Sequence, residues 1–443
     1  MLTDYLAIGS QEVWNTARLR AYLENVGSPF TSGAAICGCE TLTAQILGEE
    51  DGEYTTPPED PSPWFDPDLP VSGEYLGFLP LTVSGLEDNP RARTVTGAVG
   101  GGGVFGPVRA LPRTITVTGL LIGSSCCGAE YGMHYLSEAL AGCTGDSCEG
   151  DCVTVYNCCP GEELTAEEFN DRHRRTFRRT ALVSGPTVLD RQGTGSCARG
   201  SCGGGGDIIQ VEFVLVAASP WAWTDPIPLL EVGLPIGGSG DCIDWCVRGG
   251  DAADDCDASD CSFAPCDDAT DACADPRNPM PRPPQPSIPT ASFCIPIAPE
   301  RDCYTIDLSD RPQWSSDVPM ITVLAGSEEL RNVRISFYER PTDTTLTCEE
   351  TADASRCDPL NDFVITYIPA GGSVTIDGQI GRATMECDGD CRTASTVFGD
   401  EDGGPVRVRE LTCASFCVCA QTDPLFPPAP DASVSLSVSG RGY

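Results

Sequence analysis

Twenty-six cysteines are the residues of this 443-residue chain most able to do chemistry, and six of them lie between residues 241 and 276 among eleven aspartates. Thiolates and carboxylates in that company could form a metal cage, a calcium loop or a set of cross-links. Small zinc modules present C-x2-C, because a tight turn then aims both sulfurs at one tetrahedral centre, and thiol redox enzymes use the same spacing. The chain contains no C-x2-C. Its close pairs include C-x-C (Cys37/Cys39, Cys417/Cys419), CC (Cys126/Cys127, Cys158/Cys159), C-x3-C (Cys148/Cys152, Cys242/Cys246, Cys387/Cys391) and C-x4-C (Cys143/Cys148, Cys197/Cys202, Cys256/Cys261, Cys261/Cys266). A calcium loop of regular design needs a glycine at its bend and a closing glutamate. Asp251, Asp254, Asp255, Asp257 and Asp260 have neither. We therefore read residues 241–276 as an acidic connector stapled by disulfides. The close-spaced cysteines above, with Cys273 and Cys413, are the candidates, their pairing open. No metal and no cofactor are expected.

Catalysis has little to work with. The only histidines are His134 and His173, outside any ligand pattern, and G-x-S-x-G, H-E-x-x-H and the P-loop are all missing. Paired carboxylates of the glycosidase type are present only as chance would place them among 65 acidic residues. The chain is accordingly read as a non-enzyme. "GTGSCARGSCGGGG" lacks the Lys-Ser/Thr ending of a phosphate cradle and reads as a hairpin tip, while "GVFGP" and "GDEDGG" read as turns.

The one basic cluster is "DRHRRTFRRT". As a strand it sets Arg174 and Arg178 on one face, and Arg175 and Arg179 on the other with Phe177. These forks suit carboxylates of an adjacent subunit, or else form pairs within the chain along a solvated edge. Trp221 and Trp223 in "SPWAW" either contact a neighbouring subunit or close the end of a core.

A net charge of −38 speaks against holding nucleic acid, whose affinity comes from cations neutralising phosphates. All 27 positive charges are arginine. The first twenty residues show neither a basic n-region nor an apolar run, so no signal peptide is expected, and no membrane span either. Cysteine-rich composition without a secretory signal suits a protein made in a cytoplasm that ends its working life outside a cell.

The elements that must position these residues read as mainly β with a short helix. "YLGFLPLTVSG" could supply a strand within an otherwise aperiodic Gly/Pro/acidic stretch from 28 to 90. "RTITVTGLLIG" alternates Ile115, Val117, Gly119 and Leu121 with polar partners, and "AEYGMHYLSEALAG" carries Met133, Leu136 and Leu140 at helical spacing. "DCVTVYNCC", "RRTFRRTALVSGPTVLDR" and "DIIQVEFVLVAASPWAWTDP" supply further strands. Residues 1–230 form a first β domain with one packed helix. Residues 231–290 form an acidic, Cys-rich and then Pro-rich linker. Residues 291–443 read as a β-sandwich, from "CYTIDLS", "VPMITVLAG", "NVRISFYERP", "DFVITYIPAGGSVTIDGQIGRATMEC", "VRVRELTC" and "ASVSLSVSGRGY".

The ordered occurrence of "YLAIGSQEVWNTARLRAYLENVG", "RTITVTGLLIG" with "AEYGMHYLSEAL", "RTALVSGP" and "VEFVLVAASPWAW" resembles minor tail proteins of the distal-tail type from long-tailed phages (siphoviruses) of actinobacteria. "GGSVTIDGQIGRATMECDGD" and the closing "PLFPPAPDASVSLSVSGRGY" are similar to the final β-sandwich of such proteins. Residues 28–90 and 241–290 are unmatched. The resemblance implies a virion protein, made in the host cytoplasm, that forms a ring of commonly six copies between tail tube and tail tip. Its partners would be itself, the tube and other tip proteins, and DNA would pass through unbound. Two other roles remain open: a host-glycan binder acting through exposed aromatics of the sandwich such as Trp314 or Tyr338, and a tail enzyme that cuts cell wall.

Overall fold

Strand Arg113–Gly123 shows how the first half is built. Its threonines alternate with Ile115, Val117 and Leu121, which are fully buried, so one face of the pleat is apolar and β-branched. The computed structural model describes residues 1–9, 11–28, 38–48, 53–60, 62–143, 150–161, 164–193, 206–236, 242–246, 292–296, 300–312, 316–341, 345–387, 390–400, 403–423 and 425–442. In it this strand pairs antiparallel with Asp207–Ala217 on one side and with Tyr75–Ser84 on the other. Pro80, which cannot donate to a ladder, lies in Tyr75–Ser84.

The twenty-residue strand Arg174–Gly193 does two jobs. Its second half pairs with Asp207–Ala217, and its first half with Asp151–Tyr156, which continues the sheet through Tyr5–Ile8 to Gln11–Asn15. The enclosed core centres on Trp14, Phe78 and Phe213, whose rings lie 5.7–6.5 Å apart.

Helix Cys126–Ala141 packs across this sheet as the apolar spacing predicts, burying Leu136 and Leu140 and half-burying Met133. Ser125 caps it, its hydroxyl accepting from Gly128 N–H. Gly132 lets it sit close: a β-carbon there would lie 2.3 Å from the Tyr75 ring. One packed helix is an underestimate. Helix Thr16–Asn25 buries Arg18, Leu19, Tyr22 and Leu23, and shorter helices occupy Ala44–Leu47, Ala166–His173 and Cys348–Ala354. The aperiodic stretch from 28 to 90 is anchored by Trp64, 5% exposed, and by the buried Asp60.

The second half is two facing sheets. One orders Glu300–Asp307, Ser415–Thr422, Leu330–Arg340, Asn361–Ile368 and Val397–Phe398. The other runs from Ile227–Gly233 through Ser433–Gly442, Asp317–Leu324, Ser373–Asp377 and Arg382–Cys387 to Asp390–Thr393. Ile321, Val323, Leu436 and Val438 meet Ile335, Phe337, Phe363 and Val418 between them. Two details depart from the sequence reading. "VRVREL" is extended but forms no ladder: Val406 and Val408 pack on the core while Asn361 brackets Arg409, donating to its carbonyl and accepting from its N–H. The central strand is instead Ser415–Thr422, whose cysteines obscure its alternation.

The final strand joins the halves. Gly442 and Arg441 pair with Ala222 and Trp223, so the sheet of the first half continues into the second. Cys242–Cys246, in the segment read as a linker, pairs antiparallel with Ser292–Pro296, at the start of the segment read as the sandwich. The aspartate-rich stretch between them lies outside the described residues.

Candidate functional site

Three disulfides are described, and each spans a long stretch of chain. Cys39–Cys159 links residues 120 apart, Cys303–Cys419 116 apart and Cys348–Cys417 69 apart. Cys126 and Cys143 are also disulfide-bonded. Cys303 and Cys348 escape a search for short spacings because their partners both lie in the distant strand Ser415–Thr422. Four of the expected cross-linking residues, Cys127, Cys152, Cys158 and Cys413, are in no disulfide, and neither is Cys357. In each CC pair only one cysteine is bridged, Cys126 but not Cys127 and Cys159 but not Cys158. Cys127 follows Cys126 in the first turn of Cys126–Ala141, where successive side chains point about 100° apart. Cys413 instead donates to the carbonyls of Ser309 and Arg311. Cys37, Cys148, Cys197, Cys202, Cys256, Cys261, Cys266 and Cys273 lie outside the described residues, as do the side chains of Cys242, Cys246, Cys387 and Cys391.

Cys158 brings a thiol 3.0 Å from His173 Nδ1, and Asn157 Oδ1 lies 2.8 Å from the same nitrogen. A cysteine–histidine–amide relay needs the two partners on opposite ring nitrogens, so that one contact orients the base for the other. Here both fall on Nδ1. Burial, with Arg175 and Arg172 nearby, pushes the His173 pKa down. Among the described residues no group of three or more His, Cys, Asp or Glu side chains is arranged to hold a metal ion.

The arginine cluster works largely within the chain. Arg174 pairs with Asp225 at 2.7 Å, and Arg178 reaches Asp377 of the second half at 2.9 Å. Arg175 donates to the carbonyls of Arg172 and Arg174. Arg179 adopts a left-handed φ of 57°, at the register shift where the strand leaves one partner for the next. The tryptophans belong to the same junction. Trp223 is buried at 1% exposure and closes the core rather than facing a neighbour, and the Arg441 guanidinium lies 4.4 Å from the Trp221 ring centre and 5.6 Å from that of Trp223. Tyr338, expected as an exposed aromatic, is buried against Cys348, Ala352 and Cys417. Trp314 lies outside the described residues.

No family model and no curated protein matches the chain. Solved phage structures do overlay on it. The SPP1 Dit (gp 19.1) protein, described as a paradigm of the hub adsorption apparatus in phages infecting Gram-positive hosts, is 8% identical with a TM-score of 0.34, over 82% of this chain and 93% of that one. A chain of the phage P2 baseplate in its activated conformation with Ca is 9% identical with a TM-score of 0.36, over 83% and 91%. The corresponding structure with Sr gives 9% and 0.35, over 82% and 91%. Overlays at these scores assign neither a fold family nor an activity.

A feature with no sequence forewarning is a two-stage β-arm. Arg91–Ala92 pairs with Arg109–Ala110, and Val95–Gly97 with Gly103–Phe105, so "GVFGP" begins as a strand and not a turn. The tip turns through Gly101 and Gly102, both at positive φ. Val95, Val99, Val104, Phe105 and Val108 are all exposed, Phe105 at 67%. Residues 90–112 also hold three arginines and no carboxylate, in a chain of net charge −38. Five large apolar side chains are thus displayed together on one hairpin.

Proposed function

We propose that the chain is a structural subunit of a phage tail, of the distal-tail type, which repeats around an axis between tail tube and tail tip. The observation that carries this reading is the arm of residues 90–112, which is apolar, cationic and free of carboxylates while the rest of the chain is strongly acidic. A second copy of the chain offers the acidic body that such an arm complements, so each copy supplies both halves of the contact. A contact between two different surfaces of identical subunits is heterologous, and it closes into a ring when its rotation permits.

The rest of the molecule is consistent with a mechanical part. The shared last strand and the Arg178–Asp377 pair tie the two halves together, and disulfides span each of them. The order of strand, helix and strand runs resembles that of distal-tail proteins and points the assembly to a phage tail.

The test replaces residues 94–107 with a two-residue Asn-Gly turn, leaving the body intact. Sedimentation of the full chain should show a multimer, and the shortened chain should sediment as a monomer with unchanged circular dichroism. Equal association of both chains would remove the arm from the contact and the reading with it.

A further inference from the structure

The outer face of the five-stranded sheet in the second half carries a cleft of about 790 Å³. That lies within the range of about 300–1,000 Å³ typical of small-ligand sites. Its floor is a row across three strands in register, Arg301, Gln421 and Arg334. One wall follows helix Cys348–Ala354, which the Cys348–Cys417 disulfide holds on this face. The opposite wall is the extended segment of Val406 and Val408. These two valines turn to the core, and by the two-residue period Arg407 and Arg409 turn to the cleft.

The charges divide into two sets. Arg301 pairs with Asp353 at 2.7 Å, and Arg334 grips Asp362 through two bonds of 2.9 and 2.7 Å, with the Ser336 hydroxyl as a further donor. Those aspartates are already neutralised. Arg356, Arg407 and Arg409 also line the cleft, are exposed, and pair with no carboxylate among the described residues. Among the described residues the lining thus holds five arginines against three aspartates, a formal excess of two positive charges on a chain of −38.

We infer that this cleft binds an anionic oligosaccharide, one whose repeating carboxylate or phosphate groups are spaced by sugar or polyol hydroxyls. Three unpaired guanidinium groups recognise the anionic groups as forks. The exposed Asp353 and Asp400, with the Gln421 amide, accept from or donate to hydroxyls. The net charge of −38 on the whole chain repels a densely charged polymer such as nucleic acid, so sparse charge among hydroxyls is the chemistry that fits. The inference does not depend on the assembly proposed above, because the cleft lies within one chain.

Calorimetric titration of the full chain with an oligogalacturonate, with an oligo(glycerol phosphate) and with a neutral dextran of matched length tests it. At least one anionic ligand should bind at one site per chain while dextran does not, and which one binds identifies the source of the anion. Arg407→Ala with Arg409→Ala should weaken binding at least about tenfold, and Arg356→Glu alone should do likewise if the double variant folds poorly. Bound ligand should also slow alkylation of the exposed thiol Cys357, which lines the cleft. Failure of both anions to bind, or affinity unchanged in the variants, overturns the inference. So does self-association lost in the double variant without any glycan binding, since that would assign the cleft to a second copy.

Discussion

Arg18 is buried at 1% exposure inside helix Thr16–Asn25, yet it keeps its charge because the fold surrounds it with acceptors. Glu12 lies 3.1 Å away and Asp60 3.0 Å away, the Tyr22 hydroxyl donates to Asp60 at 2.9 Å, and the Tyr54 ring centre is 4.4 Å from the guanidinium. Burial opposes this charge, and Glu12 with the neighbouring tyrosines outweighs it, raising the pKa. Arg18→Met strands two buried carboxylates, so it should cost about 3–5 kcal/mol, read as a lower urea midpoint for the first half. Adding Glu12→Gln and Asp60→Asn should recover part of that loss. A cost below about 1 kcal/mol would show that water reaches the network. None of this is legible from the run "NTARLRAYLEN", because an arginine among alternating polar residues reads as surface. The cluster from Arg174 to Arg179 is visible in the sequence. The pairing of Arg178 with Asp377, 199 residues away, is not.

Elements were more legible than residues wherever the period was clean. Strands Arg113–Gly123 and Asp207–Ala217 and helix Cys126–Ala141 follow directly from alternation of two and spacing of three to four. The order failed at Ser415–Thr422, where cysteines stand in the alternation, and at "VRVREL", where a strand-like pattern serves a single extended segment. Two predictions belong at this scale. Gly132→Ala improves helix propensity by about 1 kcal/mol in isolation. Here the added methyl meets the Tyr75 ring, so overpacking should win and the variant should lose about 1–3 kcal/mol. Stabilisation on substitution would mean the helix can move away from Tyr75. Replacing Cys348 and Cys417 by serine opens a link between residues 69 apart that holds helix Cys348–Ala354 on the sheet. A loss of about 2–4 kcal/mol in thermal or denaturant unfolding of the second half is expected. Unchanged stability would show that the surrounding packing alone holds this helix.

At the scale of the whole molecule, the mainly β architecture follows from composition and period, but the joint between the halves does not. Pairing of the last strand with Ala222–Trp223 connects residues more than 200 apart, and no local pattern announces it. Nor does composition announce the arm, whose glycine-rich tip reads as a turn and whose paired strands are only two and three residues long. Both features bear on the central claim that this chain works as a repeated part. Like-charged bodies repel, so association needs a region of opposite character, and residues 90–112 provide one. Because that attraction is partly ionic, association should weaken as salt rises, while the apolar contribution of Val95, Val104 and Phe105 persists. The most direct test is native mass spectrometry of the full chain across protein concentration. One dominant closed multimer of defined copy number is the predicted spectrum, and a monomer at every concentration would contradict the account.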